Sequence, residues 1–315
     1  MTQQNIELRQ LANQVEIVGT LKSKDLEVKT SKAGNEYMTG TLVVASKFDG
    51  KLQEQKVKVF IMKSSKLFKG IETVKNEYKT IEKDGSENAD RIRVTGELKL
   101  NEYYNNQGNL VQFNEIKGVF FNRIEEGNNQ PDKAIASIET IVESFVEKMD
   151  ADQLPTGEYI VNGFTVGWGN EVVELKNAIV GQELAQPFMD LYPAGSTGRL
   201  TFKLNNYVVV KEQEEAPVVP THGFGSQEKV ESNVVNNYVN NLEIVGGDIP
   251  YFGSKEYTPE EIENAKQVRA LALQNMSQPQ PTPQTNTGFG AGATNPQNIE
   301  NQLPTDMGAQ NMPDF

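Results

Sequence analysis

The chain has 315 residues, 37% of them hydrophobic, with 30 Lys and Arg against 43 Asp and Glu. It contains no cysteine and one histidine, His222, which excludes disulfides, thiolate metal sites, cysteine nucleophiles and any mechanism needing two imidazoles. No run of about 18 apolar residues occurs. The opening MTQQNIELRQ lacks the basic and apolar regions of a leader, so a soluble, cytoplasmic protein without membrane contact is expected.

Charge divides unevenly along the chain. Residues 1–126 hold 20 Lys and Arg against 18 Asp and Glu, whereas the remainder holds 10 against 25. Between residues 22 and 83 there are 14 lysines and 8 acids. The N-terminal part can therefore attract a polyanion although the formal net charge of the whole is −13. Within it, 14–21 (QVEIVGTL) and 37–46 (YMTGTLVVAS) are rich in β-branched residues and are separated by the turn former Ala33-Gly34-Asn35. In 56–62 (KVKVFIM), Val57, Val59 and Ile61 alternate with Lys58, Phe60 and Met62, the period of a half-buried strand. Leu67, Phe68, Ile71, Val74 and Tyr78 then recur at helical spacing over 65–81, and a charged loop follows at 82–90. Strands return at 91–100 and 110–124 around the polar tip 105–109. The order β-β-β-α-β-β is that of an OB-fold, a small five-stranded barrel.

Residues 131–149 place Ala134, Ile135, Ile138, Ile141, Val142, Phe145 and Val146 on one helical face behind Pro131, which predicts a linking helix that braces two domains. Strand patterns resume at 158–168, 171–180, 199–211 and 237–252, with 182–197 as a short helix or loop. This order predicts a second, degenerate OB-like barrel, one strand short, interrupted by a Pro/Gly/Glu-rich loop at 213–232. Thr258-Pro259-Glu260-Glu261 is a capping box opening a helix to about residue 275. From Ser277 onward Gln, Asn, Pro, Gly and Thr dominate, a composition too polar to offset its ordering entropy. The predicted architecture is mainly β: an OB barrel over 1–126, a linking helix in 127–152, a second OB-like domain with a C-terminal helix over 153–275, and a disordered tail over 276–315.

Single-stranded nucleic acid requires cations along its phosphates and flat side chains for its unpaired bases. Lys56, Lys58 and Phe60 alternate onto one face of the third strand, opposite the core-facing valines. Phe48 stands in the polar hairpin SKFDGK between Lys47 and Lys51, where a core role is not expected; Lys22 and Lys47 add cations, and Tyr103 and Tyr104 lead into the tip of the last hairpin. Each position also has a plain reading: surface lysines are common, Phe60 suits a small core under the helix, and the tyrosines suit a cross-strand pair. Their convergence on one face of one barrel favours binding. Trp168, in GWG, could stack a base, but a lone Trp is more often core, and core is the reading taken.

With these residues in view, 13–125 resembles the DNA-binding domain of bacterial and phage single-stranded DNA-binding proteins. The resemblance is carried by NQVEIVGTL (13–21), GTLVVASKFDGK (40–51), KVKVFIMKSSKLFKG (56–70), RVTGELKLNEYYNNQGN (93–109) and FNEIKGVFFN (113–122). It implies a stacking aromatic after the second strand at Phe48, basic and aromatic residues on the third strand at Lys56, Lys58 and Phe60, and an aromatic before the last hairpin at Tyr103, with Tyr104 beside it. The family's disordered linker and acidic, Phe-terminated tip imply a partner-recruiting role for Met312, Pro313, Asp314 and Phe315. Phe and Tyr replace the family's usual tryptophans, and Asn101-Glu102 stands where basic residues are common, which implies weaker binding per barrel. Residues 127–275 have no counterpart in the short members.

The expected function is coating and protection of single-stranded DNA in replication, recombination and repair, in the host cytoplasm if phage-encoded, with replication and recombination proteins as partners of the tip and a homo-oligomer as a possibility. Residues 151–252 carry 5 basic and 13 acidic side chains, so the second barrel is expected to act as a scaffold. The alternatives are an OB protein-interaction or phage structural module without strong nucleic-acid binding, and an RNA-binding OB protein. Gly288–Ala293 lacks the Lys-Ser/Thr of a P-loop, His222 reads as a loop residue, and Glu212, Glu214 and Glu215 read as a solvated charge run. No catalytic residue, metal site or cofactor is expected, and so no enzyme.

Overall fold

The computed structural model describes residues 7–125, 127–211 and 235–277. Its first unit is built from β1 (Asn13–Thr30), β2 (Glu36–Phe48), β3 (Lys51–Met62), α1 (Phe68–Glu77), the short α2 (Ile81–Asp84), β4 (Arg91–Tyr104) and β5 (Leu110–Arg123). Strand β1 pairs with β2 through its C-terminal half and with β4 through its N-terminal half; β2 pairs with β3 and β4 with β5, all antiparallel. A short parallel contact, Val57 with Ile116 and Lys58 with Lys117, joins β3 to β5 and closes the barrel. This is the OB connectivity read from the sequence. The expected alternation holds in β3, where Val57, Val59 and Ile61 are buried beside Ile17, Leu42, Ile92 and Val94. Helix α1 covers the barrel end with Phe68, Ile71 and Val74. Part of the supposed charged loop is helix α2, whose Lys83 amide donates to the Thr80 hydroxyl. Gly40, at φ 148°, lets β2 cross β1, since a Cβ there would meet the Asp25 carbonyl oxygen at 1.9 Å.

The predicted linking helix is a strand, β6 (Lys133–Met149). It is hydrogen-bonded on both edges of its N-terminal half, to β1 and to β10 (Thr197–Lys211), and Ala134, Ala136, Ile138, Thr140, Ile141 and Val142 are buried. Burial alternates from Lys133 to Thr140 as in a strand with one face inward, but apolar Ile135 and Ile141 at odd positions let the same residues fit a helical stripe. Its β-branched content (Ile135, Ile138, Thr140, Ile141, Val142) was the discriminating signal.

Recognising β6 as a strand completes the second barrel, which is not one strand short. β6 pairs with β7 (Pro155–Val166), β7 with β9 (Ala178–Val180), and β10 with both β6 and β11 (Val235–Gly247). The closing contact between β9 and β11 is again parallel, and α3 (Gln182–Leu191) lies between the third and fourth strands of this barrel. The predicted strand 171–180 is divided into β8 (Val172–Glu174) and β9 by a turn with Asn177 at φ 56°.

The two barrels share one sheet through their first strands, which pair antiparallel from Asn13↔Ile138 to Val18↔Lys133. The register is close to a local two-fold. A bulge follows Leu21 in β1 and Val142 in β6; another falls at Val119 in β5 and Val245 in β11. Helix α4 (Pro259–Ser277) begins at the predicted capping box, with the Thr258 amide donating to Glu261 Oε2 at 2.8 Å and the Glu261 amide to Thr258 Oγ1 at 3.2 Å. From α4, Arg269 reaches Glu102 of the first barrel with two bonds (2.7 and 2.5 Å) and Glu174 of the second at 3.2 Å. The loop at 213–232 with His222, the acids 212, 214 and 215, and the tail with its tip Met312–Phe315 lie outside the described residues.

Candidate nucleic-acid interface

On the outer side of β2 and β3, opposite the core, Phe60 is 51% exposed and its ring centroid lies 5.0 Å from that of Tyr37 on β2. Lys58 and Lys56 follow on the same side of β3, both exposed. Lys58 Nζ donates to Thr41 Oγ1 at 3.1 Å, and no described carboxylate pairs with either lysine. In the parallel register Lys58 stands beside Lys117 of β5, which contacts Glu97 of β4 at 3.5 Å. Two neighbouring rings and two unpaired cations on one barrel wall offer a stacking surface and a phosphate track.

The other expected residues are spread more widely. Tyr103 and Tyr104, 49% and 41% exposed, lie at the end of β4 opposite Val111 and Leu110, on the polar hairpin as expected. Lys22 pairs with Glu54 at 2.5 Å, which reduces its availability to a phosphate. Lys47 is exposed while its amide donates to Asp132 at 2.6 Å. Phe48 is half-buried and packs against the core, with Lys203 of the second barrel 5.9 Å from its ring centroid. The expectation that Phe48 has no core role is thus corrected: the hairpin that looked free in sequence is covered by β10. Asp49 pairs with Lys203, whose ammonium holds the carboxyl below its usual range, and Lys51 bonds Tyr207 at 2.8 Å. Nine residue steps along β3 separate Lys51, opposite Phe48, from Phe60, up to about 30 Å along the strand. Lys56, Lys58 and Phe60 are brought together; Phe48 and Lys47 are not part of that patch.

Sequence reasoning missed Tyr37 and Lys117. Tyr37 had a signal, an aromatic two residues before Thr39 in the β2 alternation, but its partner was invisible without the β2–β3 register. Lys24 illustrates the reverse: its ammonium donates to the carbonyls of Val74, Lys75 and Tyr78 at 2.8, 2.7 and 2.5 Å, so this lysine caps α1. Burial, with Lys83 nearby, holds its pKa below the ordinary lysine value. Among the described residues no cluster of three His, Asp or Glu is placed to hold a metal, and no helix is long and apolar enough to cross a membrane.

Two barrels of OB connectivity fused through their first strands, one with an aromatic and basic outer wall, define a tandem OB-fold protein. The YorF family model matches residues 12–279, and the chain belongs to the YorF family. Among solved structures, the wild-type single-stranded DNA-binding protein from Thermus aquaticus is 13% identical, with 80% of this chain and 99% of that one covered at a TM-score of 0.42. A deletion variant of the same protein gives 13%, 80%, 98% and 0.44. The Plasmodium falciparum single-stranded DNA-binding protein in complex with single-stranded DNA is 12% identical, covering 40% of this chain and 100% of its own at 0.25. No curated protein matches the sequence.

Proposed function

We propose that this protein binds single-stranded DNA with little sequence preference, through the outer wall of its first barrel, and so coats and protects it during replication, recombination and repair. The observation that carries the reading is the Tyr37–Phe60 ring pair beside Lys56 and Lys58, whose charges meet no described carboxylate. Stacking on two rings is tolerant of sequence because every base has a flat face, and the lysines follow the backbone. Lys22, Lys47, Tyr103 and Tyr104 extend the contact, whereas Phe48 props the hairpin tip. No catalytic step belongs to this function. The terminal Met312-Pro313-Asp314-Phe315 is assigned to recruiting replication and recombination proteins.

The second barrel supports the reading by contrast. The row Thr41–Lys58–Lys117–Glu97 on the first barrel corresponds in register to Ile160–Ile179–Glu243–Lys203 on the second, which replaces two cations with an apolar residue and an acid. The test is fluorescence anisotropy of labelled oligo-dT against protein, with duplex DNA and RNA of equal length alongside, for wild type, Phe60→Ala and Tyr37→Ala. Single-strand-selective binding that each substitution weakens by about 1–3 kcal/mol is expected. Weak binding, indifferent to strandedness and to the rings, would refute the proposal and favour a protein-interaction module. A preference for RNA over DNA would reassign the ligand.

A further inference from the structure

Trp168, expected in the core, is 56% exposed. It opens a single 3-10 turn, Trp168–Asn170, that joins β7 to β8. By strand order this turn occupies the place in the second barrel that the β2–β3 hairpin tip occupies in the first. The backbone is fixed on both sides: Gly167 N donates to Glu171 O at 2.7 Å, and Leu8 N donates to Asn170 Oδ1 at 2.8 Å. Gly169 and Asn170 take φ of 70° and 65°, so the chain adopts left-handed geometry to make the turn. An indole held out on an anchored turn forgoes the burial that a tryptophan ordinarily gains.

The turn belongs to the second barrel but stands against the first. Lys99, on the outer side of β4, donates to Glu171 Oε2 at 2.5 Å, and a Cβ on Gly167 would lie 3.6 Å from the same ammonium. Lys99 also contacts Glu97 at 3.4 Å, and Glu97 is paired across β5 with Lys117, the neighbour of Lys58. The outer wall of the first barrel thus runs from the Tyr37–Phe60 pair through Lys58 and Lys117 to the Trp168 turn. Lys58 and Glu97 are two strand spacings apart, about 10 Å. An OB fold engages about 4–16 nucleotides, more than one ring pair can stack.

We propose that Trp168 is a base-stacking residue at the far end of this wall, so that the second barrel contributes a hairpin tip to the single-strand track and not its own sheet. The inference rests on the proposed function. Lys99 is already paired with Glu171 and Glu97, so the contribution at this end is stacking and adds no phosphate contact.

Trp168 is the chain's sole tryptophan, so indole emission reports on this one position. The full-length protein is titrated with labelled oligo-dT while probe anisotropy is followed for wild type, Trp168→Ala and Trp168→Phe, and tryptophan emission for the wild type. Emission quenched in step with the anisotropy is expected, with binding weakened about 5- to 150-fold in Trp168→Ala and largely retained in Trp168→Phe. Thermal melts of both variants check that the fold is intact. Normal binding by the wild type with unquenched emission, or undiminished affinity in Trp168→Ala whatever the wild-type quenching, would overturn the stacking role and leave the proposed function standing. No binding by the wild type would overturn both.

Discussion

The sharpest test of the barrel-1 wall separates its charges from its rings. Lys56 and Lys58 meet no described carboxylate, whereas Lys22 is paired with Glu54, Lys99 with Glu171 and Lys117 with Glu97. A lysine already paired with a carboxylate must give up that pair to neutralise a phosphate, and so releases fewer of the counterions condensed on the strand. Each phosphate neutralised on a single strand contributes about −0.7 to the slope of log Kobs against log[salt]. The double variant Lys56→Ala/Lys58→Ala should therefore make the slope shallower by about 1.4 and weaken binding most at low salt. Phe60→Ala should lower affinity by about 1–3 kcal/mol at every salt concentration and leave the slope alone. Lys22→Ala should change the slope by less than either free lysine does. The assay is oligo-dT anisotropy across a salt series for all four proteins. An unchanged slope in the double variant would show that phosphates do not pass over this wall, whatever the affinity.

Other outcomes follow from the packing. Arg269→Met leaves Glu102 and Glu174 without their shared guanidinium in a mostly buried setting, and urea unfolding should show a loss of about 3–5 kcal/mol, partly relieved when Glu102→Gln is added. The Arg269 hydrogen bond holds Glu102 below the usual carboxylate range; burial pushes Glu174 up, but Lys176 and Arg269 outweigh it and hold it down too. Depressed carboxyls give stability that is complete above the unfolded value, about 4.3, and lost as pH falls through the folded values. Acid titration of wild type followed by circular dichroism should therefore show a loss of stability below about pH 4 that is blunted in Arg269→Met. Ile17→Ala, at a fully buried position of the shared sheet, should cost about 2–5 kcal/mol by the same urea measurement.

Much of the first barrel could be read from local pattern because its strands each have one wet face. β3 alternates cleanly, and the capping box of α4 was visible as four consecutive letters. β6 failed for a physical reason: its buried even positions, Ala134, Ala136, Ile138, Thr140 and Val142, alternate as a strand should, but Ile135 and Ile141 between them let the same stretch fit a helical stripe. The partial burial of Phe48 was not legible because the strand it meets, β10, is about 155 residues away in sequence, and nothing near the hairpin records that contact. Trp168 failed in the opposite direction, since its two flanking glycines were a turn signal outweighed by the habit of tryptophan to be buried.

The two barrels share connectivity, bulge positions and a parallel closing contact, yet their outer walls differ. Topology is retained where main-chain hydrogen bonding fixes it, and the wall residues are free to change because each points away from its own core. Ile179 stands in the second barrel where Lys58 stands in the first, and Glu243 where Lys117 stands, while the strands beneath keep their register. What the second barrel retains is contact with its neighbour: Lys203 and Tyr207 hold the β2–β3 tip through Asp49 and Lys51, and Asn114 of β5 bonds the Glu174 carbonyl and the Lys176 amide in return. Each barrel's last hairpin thus grips the other's second hairpin, an arrangement that fixes the Trp168 turn against the first barrel's wall. On the proposed function, the second OB unit serves through these contacts with the first barrel and not as a duplicate binding face.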